Sequence, residues 1–245
     1  MGIVYVIASG KGGTGKTSLT GGIGSCLAAV GHRVLCIDGD IGLRNLDLAL
    51  GMSGQILMDF NDVIGGRCSL TDAAAEHTLI HGLYLLTAPV SVSAEQISAQ
   101  GFRDLVDSAR KDFDYILIDA PAGIGPGLKL AACAADRMII TVTADPASLR
   151  DGQRTADQFG TQIELQQLVV NRVQPRLLRR MKMNIDDAMD TVGLGLLGLV
   201  PEDSRVPLAA GAGKPVIMTG KRGAPMAYYR IAQRMEGKYV PLGKI

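Results

Sequence analysis

Residues 10–17 of the chain are Gly10-Lys11-Gly12-Gly13-Thr14-Gly15-Lys16-Thr17. They fit the pattern G-x-x-x-x-G-K-[ST], which forms a phosphate-binding loop where a strand precedes it and a helix follows. Residues 3–7 are a short aliphatic run that predicts the strand, and residues 16–30 predict the helix. Because the motif stands in this context, the sequence predicts a nucleotide-binding α/β fold. The alternative is a glycine-rich turn that carries a Lys-Thr pair by coincidence.

Apolar runs alternate with helical stretches along the whole chain. Near-continuous apolar runs are typical of strands buried on both faces, and their alternation with helices predicts βαβ units. We predict strands at residues 3–7, 34–37, 83–87, 115–119, 138–143, 168–173 and 196–200. We predict helices at residues 16–30, 43–50, 55–63, 102–111, 126–134, 148–159, 184–192 and 225–236. The expected fold is a single P-loop domain over residues 1–245, with a mostly parallel, twisted sheet and helices on both faces.

The composition excludes several classes of protein. Of the 245 residues, 47% are hydrophobic and 20% are charged, which is typical of a folded chain and not of a disordered one. No apolar run reaches the roughly 18 to 20 residues that cross a bilayer. The first ten residues lack a basic leader, so we expect a cytoplasmic protein. A peripheral position at the inner face of the cell membrane stays open.

The residues of the motif have distinct chemical roles. Glycines let backbone N–H groups converge on phosphate oxygens, and the N-terminus of the following helix favours negative charge. Lys16 is expected to reach the β- and γ-phosphates, and Thr17 to ligate Mg²⁺. The expected ligands are therefore ATP or ADP with Mg²⁺. The predicted nucleotide-binding residues of this stretch are Gly10, Lys11, Gly12, Gly13, Thr14, Gly15, Lys16, Thr17 and Ser18.

Lys11 is a second lysine inside the loop, and one subunit does not need it to hold phosphate. With this lysine, the loop resembles that of the ParA/MinD family of deviant Walker A ATPases. In that family the lysine reaches across a dimer to the nucleotide of the partner. The resemblance implies an ATP-dependent homodimer in which Lys11 acts in trans, as a catalytic residue beside Lys16. From the residues alone, the alternative interpretation is that Lys11 is a solvated lysine of the loop.

Two aspartates, Asp38 and Asp40, end the second predicted strand. Carboxylates at this edge face the same crevice as the phosphate loop. Residues 40–48, DIGLRNLDL, closely resemble the switch I segment in the branch of the family that regulates the division site. The resemblance implies that Asp40 is catalytic and positions the attacking water, that Asp38 and Asp40 belong to the metal site, and that Arg44 and Asn45 belong to the switch. Without the family resemblance, the two aspartates could equally cap a helix.

A third acidic strand end is Asp119, which opens the stretch Asp119-Ala120-Pro121-Ala122-Gly123. This stretch resembles the Walker B and switch II segments of the family. The resemblance implies that Asp119 holds Mg²⁺ through water. It also implies that Gly123 turns its N–H group toward the γ-phosphate.

The base of the nucleotide is expected beside the last two strands. Asn171-Arg172 and Pro201-Glu202-Asp203 resemble family segments that frame adenine. The resemblance implies that Asn171 bonds the base edge, that Arg172 and Pro201 pack on the ring, and that Asp203 joins the nucleotide contacts. An asparagine that ends a strand can also be a simple turn residue.

The predicted helix at residues 148–159 resembles the family surface that docks the division inhibitor MinC and the activator MinE. Arg150, Asp151 and Arg154 match that surface, whereas Gln153 stands where an acid is expected. The chain end departs further, because Pro241 and Gly243 lie among its last eight residues. No separate amphipathic membrane helix is therefore expected there.

One basic cluster has no counterpart in the family resemblance. Five positive charges lie within eleven residues: Arg172, Arg176, Arg179, Arg180 and Lys182. A solvated basic loop is one interpretation. The other is a surface for weak contact with nucleic acid or with an anionic lipid, spanning Arg172 to Lys182.

These observations together predict an ATPase with slow intrinsic turnover. We expect it to act as an ATP-dependent dimerisation switch in division-site placement that hydrolyses ATP to ADP and phosphate when a partner stimulates it. The alternatives are a ParA-like ATPase that positions DNA or cargo, and a regulator of flagellar number. An iron-sulfur ATPase is disfavoured because the four cysteines form no C-x-x-C pair. The cysteines are Cys26, Cys36, Cys68 and Cys133.

Overall fold

Eight strands form one sheet, with the predicted site residues at one edge. The computed structural model describes residues 1–54 and 58–243. The strands are β1 (Ile3–Ala8), β2 (Val34–Asp38), β3 (Ala75–Glu76), β4 (Leu83–Leu86), β5 (Tyr115–Asp119), β6 (Arg137–Thr143), β7 (Leu165–Val173) and β8 (Leu196–Pro201). All seven predicted strands are confirmed, and the two-residue β3 was missed because so short a run has no periodicity to read.

The strand order is β3-β4-β2-β5-β1-β6-β7-β8. Every neighbouring pair is parallel except β3 and β4, which are antiparallel. The predicted mostly parallel α/β fold is therefore confirmed. In this register Asp119 lies beside both Ile7 and Asp38, so the carboxyl ends of β1, β2 and β5 meet at one edge. We call this the front edge of the sheet.

Helices pack on both faces of the sheet, as predicted. They are α1 (Lys16–Ala29), α2 (Leu46–Leu50), α3 (Phe60–Ile64), α4 (Leu70–Ala73), α5 (Ala99–Ala109), α6 (Pro126–Ala132), α7 (Pro146–Phe159), α8 (Pro175–Met181), α9 (Ile185–Val192), α10 (Arg205–Gly211) and α11 (Ala224–Met235). Short 3₁₀ turns lie at Ala94–Gln96 and Val216–Thr219.

Two predicted helices begin later than expected. The helix predicted at 43–50 begins at Leu46, because Arg44 has a left-handed φ of 47° that interrupts a helix. The helix predicted at 55–63 begins at Phe60, because the side chain of Asp59 caps it by accepting two backbone N–H groups. Residues 55–57 of that prediction lie outside the described residues.

Three residues of the basic cluster, Arg176, Arg179 and Arg180, lie on helix α8 and not in a loop, which corrects one interpretation of the sequence; Arg172 lies in β7, and Lys182 directly follows the helix. Pro175 takes the first position of α8, where its missing N–H costs no hydrogen bond. Two further short helices, α4 and α10, were not predicted. Residue Pro207 lies inside α10 and masks the helical pattern.

The core lies in two layers, one on each face of the sheet. One layer includes Val6, Ile118 and Leu149, and the other includes Ile7, Leu19 and Tyr228. Since alternate residues of the central strands point into opposite layers, these strands are buried on both faces, as their apolar sequence predicts. In the described part of the chain, no helix combines the length and the apolar composition that a membrane crossing requires.

Candidate nucleotide site

The phosphate loop connects the end of β1 to the start of α1. Gly13 and Gly15 have φ values of 79° and 85°, a region that glycine enters at no steric cost. No side chain caps the N-terminus of α1, and its first turn carries no acid. The backbone N–H groups there therefore remain available for an anion.

Lys16 and Thr14 are buried in the loop. Lys16 is only 8% exposed, and burial lowers the pKa of its ammonium group. The hydroxyl of Thr14 is buried and has no hydrogen-bond partner among the described residues. A buried cation and a buried free hydroxyl are costly by themselves, so this loop is suited to a polar, anionic ligand.

Asp119 lies at the end of β5, fully enclosed. Burial raises its pKa to about 7, and the hydroxyls of Thr17 and Thr20 offset part of that rise. The Thr20 hydroxyl lies 3.2 Å from the Asp119 carboxylate. Carboxylate and hydroxyl oxygens are ligands that suit Mg²⁺, so the residues predicted for the metal are of the right chemistry.

Asp38 orders the chain that follows β2. Its carboxylate accepts the backbone N–H of Asp40 at 2.9 Å and that of Leu46 at 3.0 Å. Residues 40–45, which we call the switch segment, therefore form a turn closed at both ends by one side chain. The structure thus gives Asp38 a bracing role that sequence reasoning missed, whereas its predicted place in the metal shell stays a prediction.

Asp40 itself is half-buried at the start of the switch segment. Burial raises the pKa of its carboxyl, and the charge of Lys16 opposes that rise. Arg44 is half-buried in the same segment, and the exposed Asn45 directly precedes α2. The predicted switch residues thus lie between the phosphate loop and α2.

Lys11 differs from Lys16 in its surroundings. Its side chain is 51% exposed, and its ammonium lies 3.7 Å from the carboxylate of Asp145. Asp145 caps α7 by accepting the backbone N–H of Ser148. Gly10 packs so closely on Asp151 of α7 that no side chain would fit at position 10. The phosphate loop therefore contacts α7 directly, through contacts that the sequence does not reveal.

The switch II turn follows Asp119. Gly123 has a left-handed φ of 87°, and its N–H donates to the carbonyl of Ser9 at 3.0 Å. Gly123 thus lies beside Ser9, which directly precedes the phosphate loop, and its N–H is bonded inside the chain. That this N–H turns toward the γ-phosphate stays a prediction.

A cavity of about 300 Å³ opens beside the loop, lined by Gly13, Gly15, Ser18, Asn171, Arg172, Val200, Pro201, Glu202, Asp203, Val206, Pro207, Ala210 and Tyr228. It brings together all the residues predicted to frame the base. Its position next to the phosphate loop and its apolar walls suit a planar ring.

The polar residues of this cavity are bonded within the chain. Asn171 donates its amide N–H to the carbonyl of Thr14 at 2.8 Å, so it braces the phosphate loop. Arg172 donates to the carbonyl of Gly13 at 3.2 Å and pairs with Glu202 at 2.7 Å. The bonds to Thr14 and Gly13 join residues more than 150 positions apart in the sequence, and the pair with Glu202 joins residues 30 positions apart, so no local sequence pattern predicts them.

The side chain of Asp203 is also bonded within the chain. Its carboxylate accepts the guanidinium of Arg205 at 2.7 Å and the backbone N–H of Ala224 at 2.9 Å. It therefore fastens the start of α11 to the wall of the cavity. The predicted contact between this side chain and a nucleotide stays a prediction.

The three residues predicted for partner docking lie on α7. Arg150 and Arg154 are exposed, and Arg154 lies 3.7 Å from Asp151. Because Asp151 also contacts Gly10, this surface is joined to the phosphate loop.

Comparisons with known proteins agree with this site. The family model described as the CobQ/CobB/MinD/ParA nucleotide binding domain matches residues 5–216. The chain is 37% identical to the septum site-determining protein MinD of Bacillus subtilis, over 99% of this chain and 92% of that protein. The MinC:MinD cell division protein complex of Aquifex aeolicus contains a similar chain, with a TM-score of 0.92, 34% identity and coverage of 99% and 98%. MinD of Pyrococcus horikoshii, solved with Mg-ADP, has a TM-score of 0.84 and 26% identity over 96% of both chains.

Fold, site and sequence identity thus define the class. The chain belongs to the CobQ/CobB/MinD/ParA family of nucleotide-binding domains and, within it, to the septum site-determining MinD ATPases. The family resemblance of the phosphate loop and switch segment is confirmed by this membership.

Proposed function

We propose that the chain is an ATP-dependent dimerisation switch in the placement of the division site. The observation that carries this proposal is the contrast between the two lysines of the loop. Lys16 is buried among the groups expected to hold phosphate, whereas Lys11 is half-exposed and bonded only loosely to Asp145. A half-exposed ammonium at the rim is free to leave a weak surface pair for the nucleotide of a second subunit.

Each group has a distinct part in the proposed reaction. The loop N–H groups and Lys16 bind the phosphates, and Asp40 orients the attacking water. Thr17 and Asp119 would hold Mg²⁺, which when bound neutralises charge on the phosphates. Lys11 of one subunit stabilises the charge that develops in the site of the other.

The solved Pyrococcus relative carries Mg-ADP, which supports these ligands for this chain. The buried, unpartnered hydroxyl of Thr14 and the desolvated Lys16 support the same ligands independently. A slow intrinsic turnover follows if the site is complete only when two subunits and a stimulating partner meet.

The mass in solution tests the switch. We expect a monomer with ADP, a dimer with ATP, and a monomer for Lys11→Ala with ATP, measured by light scattering. Lys111→Ala is the matched control, because Lys111 is exposed away from the front edge. A monomer of the wild-type protein under saturating Mg·ATP would contradict the proposal.

Asp40 provides the second arm of that experiment. Asp40→Ala should still form the ATP dimer but lose phosphate release, because only the water-positioning carboxylate is removed. Loss of dimerisation together with turnover would contradict the assigned role.

We further propose that α7 docks regulators of the MinC and MinE kind. The relative from Aquifex was solved in a MinC:MinD complex, and Arg150 and Arg154 are exposed on the same helix that the phosphate loop contacts. Arg150→Glu should abolish ATP-dependent capture of a MinC-like partner and leave ATP binding intact. Unchanged capture would remove α7 from the partner surface.

The last proposed contact is between α8 and an anionic lipid surface. Its three arginines, Arg176, Arg179 and Arg180, are exposed, and Lys182 directly follows the helix. Positive side chains attract anionic headgroups by about 1 kcal/mol each near the surface. ATP-dependent binding to anionic vesicles should fall in higher salt and in the Arg179→Ala/Arg180→Ala variant. Binding to DNA instead would favour the ParA-like alternative, and binding to neither would exclude the contact.

A further inference from the structure

A buried histidine lies outside the nucleotide site. His77 follows β3 and is 3% exposed. Its Nδ1 accepts the backbone N–H groups of Leu79 at 3.0 Å and Ile80 at 3.1 Å. Its Nε2 lies 3.0 Å from the carbonyl oxygen of Leu50. Because Nδ1 is an acceptor, the ring proton is on Nε2 and is donated to Leu50.

This hydrogen bond holds one end of α2. Leu50 is the last residue of the helix, and the backbone N–H at the other end, on Leu46, is held by Asp38. A helix of five residues is not stable by itself, so its position depends on such external contacts. Asp38 ends β2, and His77 stands in the turn that leads into β4. Since β2 and β4 are neighbours, α2 is tied to two adjacent strands.

The switch segment lies between these ties. Its six residues run from Asp40 to Asn45, and its backbone includes the left-handed Arg44. Because α2 begins directly after it, any shift of α2 changes the span that the segment must bridge. Leu46 and Leu50 are fully buried, so α2 also packs into the core beside α1. Loss of the hydrogen bond at Leu50 would therefore loosen the segment without touching the phosphate loop.

We propose that His77 is a positioning residue for hydrolysis: by holding the carbonyl of Leu50, it fixes α2 and thereby the switch segment and Asp40. This inference rests on the proposed role of Asp40. It assigns to His77 control of the turnover step and no contact with the nucleotide.

Two substitutions separate the two hydrogen-bonding nitrogens of the ring. The amide oxygen of His77→Asn stands close to the position of Nδ1, so this variant keeps an acceptor for the turn and loses the donor to Leu50. The longer His77→Gln carries a donor toward Leu50 and loses the acceptor for the turn. His81→Asn is the matched control, because the side chain of His81 is 95% exposed in the same turn.

The expected result is a split between the variants. His77→Asn should lower kcat for ATP by about two- to tenfold, the size of one hydrogen bond, with KM near wild type and a lower unfolding temperature, since the buried carbonyl of Leu50 loses its donor. Backbone amides of residues 41–50 should exchange faster with deuterium. His77→Gln should keep kcat near wild type and unfold at a lower temperature. Wild-type kcat in His77→Asn, or an equal loss of kcat in both variants, would overturn the proposal.

Hydrogen exchange is measured without nucleotide and so separates this inference from the proposed function. If the wild-type protein neither dimerises nor hydrolyses ATP, the proposed function fails, and exchange still shows whether His77 holds α2. Unchanged exchange in His77→Asn overturns the anchor. Faster exchange with unchanged kcat overturns its link to hydrolysis.

Discussion

The two ends of the sheet shift the pKa values of their charged side chains in opposite directions. At the front edge, burial lowers the pKa of Lys16 and raises the pKa of Asp38, Asp40 and Asp119, so each group is pushed toward its neutral form. At the rear edge, where the strands begin, the surroundings of Arg110 and Glu236 favour the charged forms of these two residues. There the hydrogen bonds that Arg110 donates to Asp136 raise the pKa of the Arg110 guanidinium.

The rear groups are paired within the chain. Arg110 forms two bonds to the carboxylate of Asp136, at 2.6 and 3.0 Å, and Asp136 also accepts the N–H of Val4 at 2.8 Å. At the front edge, Lys16 and Asp119 are not fully paired within the chain. A bound phosphate would pair with the lysine, and a bound cation would pair with the carboxylate. The difference teaches that rear charges contribute stability, whereas front charges cost stability and contribute function.

Removal of Lys16 should give the largest effect. Lys16→Ala should lower kcat/KM for ATP by about 10² to 10³, because it deletes the charged donor to the phosphates. The thermal stability of the nucleotide-free protein should be unchanged or higher, since a desolvated cation has been removed. Steady-state phosphate release and a melting curve in EDTA measure the two properties. A large loss of stability would show that other groups of the chain already compensate the charge of Lys16.

Removal of Arg110 should give the reverse result. Arg110→Ala breaks the pair with Asp136 and the bonds to the carbonyls of Gly2 and Ala134. The free energy of unfolding should fall by about 1–3 kcal/mol, since the carbonyls of the buried Gly2 and the half-buried Ala134 lose a donor, whereas the exposed Asp136 carboxylate can bind water instead. Turnover per folded molecule should not change. Urea denaturation and an ATPase assay on the same sample decide this, and a fall in kcat would link the two edges.

Asp119 allows a test by pH in the metal-free protein. Its pKa is about 7 in the fold and lies near 3.8 in the unfolded chain. The folded state therefore binds more protons between these values, and this residue makes unfolding easier as the pH rises from about 4 to 7. Asp119→Asn removes this penalty. In EDTA the variant should therefore be more stable than wild type by up to about 4 kcal/mol at pH 8, and the gain should vanish near pH 4. Lower stability of the variant at pH 8 would contradict the desolvation argument.

The sequence predicts the front edge better than the contacts behind it. The phosphate loop, the strand ends at Asp38 and Asp119, and seven strands follow from local patterns, because glycine spacing and apolar runs report local backbone needs. The braces at Asn171 and His77 do not, since each depends on a partner that only folding brings near. Helix α8 was missed because its charges suggest solvent, whereas Pro175 was the signal that could have marked its start.

The smallest effect is expected at the rear edge, at Glu236. Its carboxylate lies 3.0 Å from His32 and 3.0 Å from Lys238, and the hydrogen bond from His32 lowers its pKa below the usual 4.5. A depressed carboxyl pKa stabilises the fold at pH values above 4.5, and that contribution disappears as the pH falls through the folded pKa. Glu236→Gln should therefore lower the free energy of unfolding by about 0.5–1 kcal/mol at pH 7.

The difference between Glu236→Gln and wild type should shrink steadily in denaturation series taken from pH 7 down to pH 4. Glu164→Gln is the control, because Glu164 is exposed on the surface. If Glu236→Gln raised the free energy of unfolding at pH 7, the ionised carboxylate of Glu236 would destabilise the fold, as that of Asp119 is expected to do. The contrast between the two edges would then fail where it should be easiest to observe, since the rear charges are paired within the chain itself.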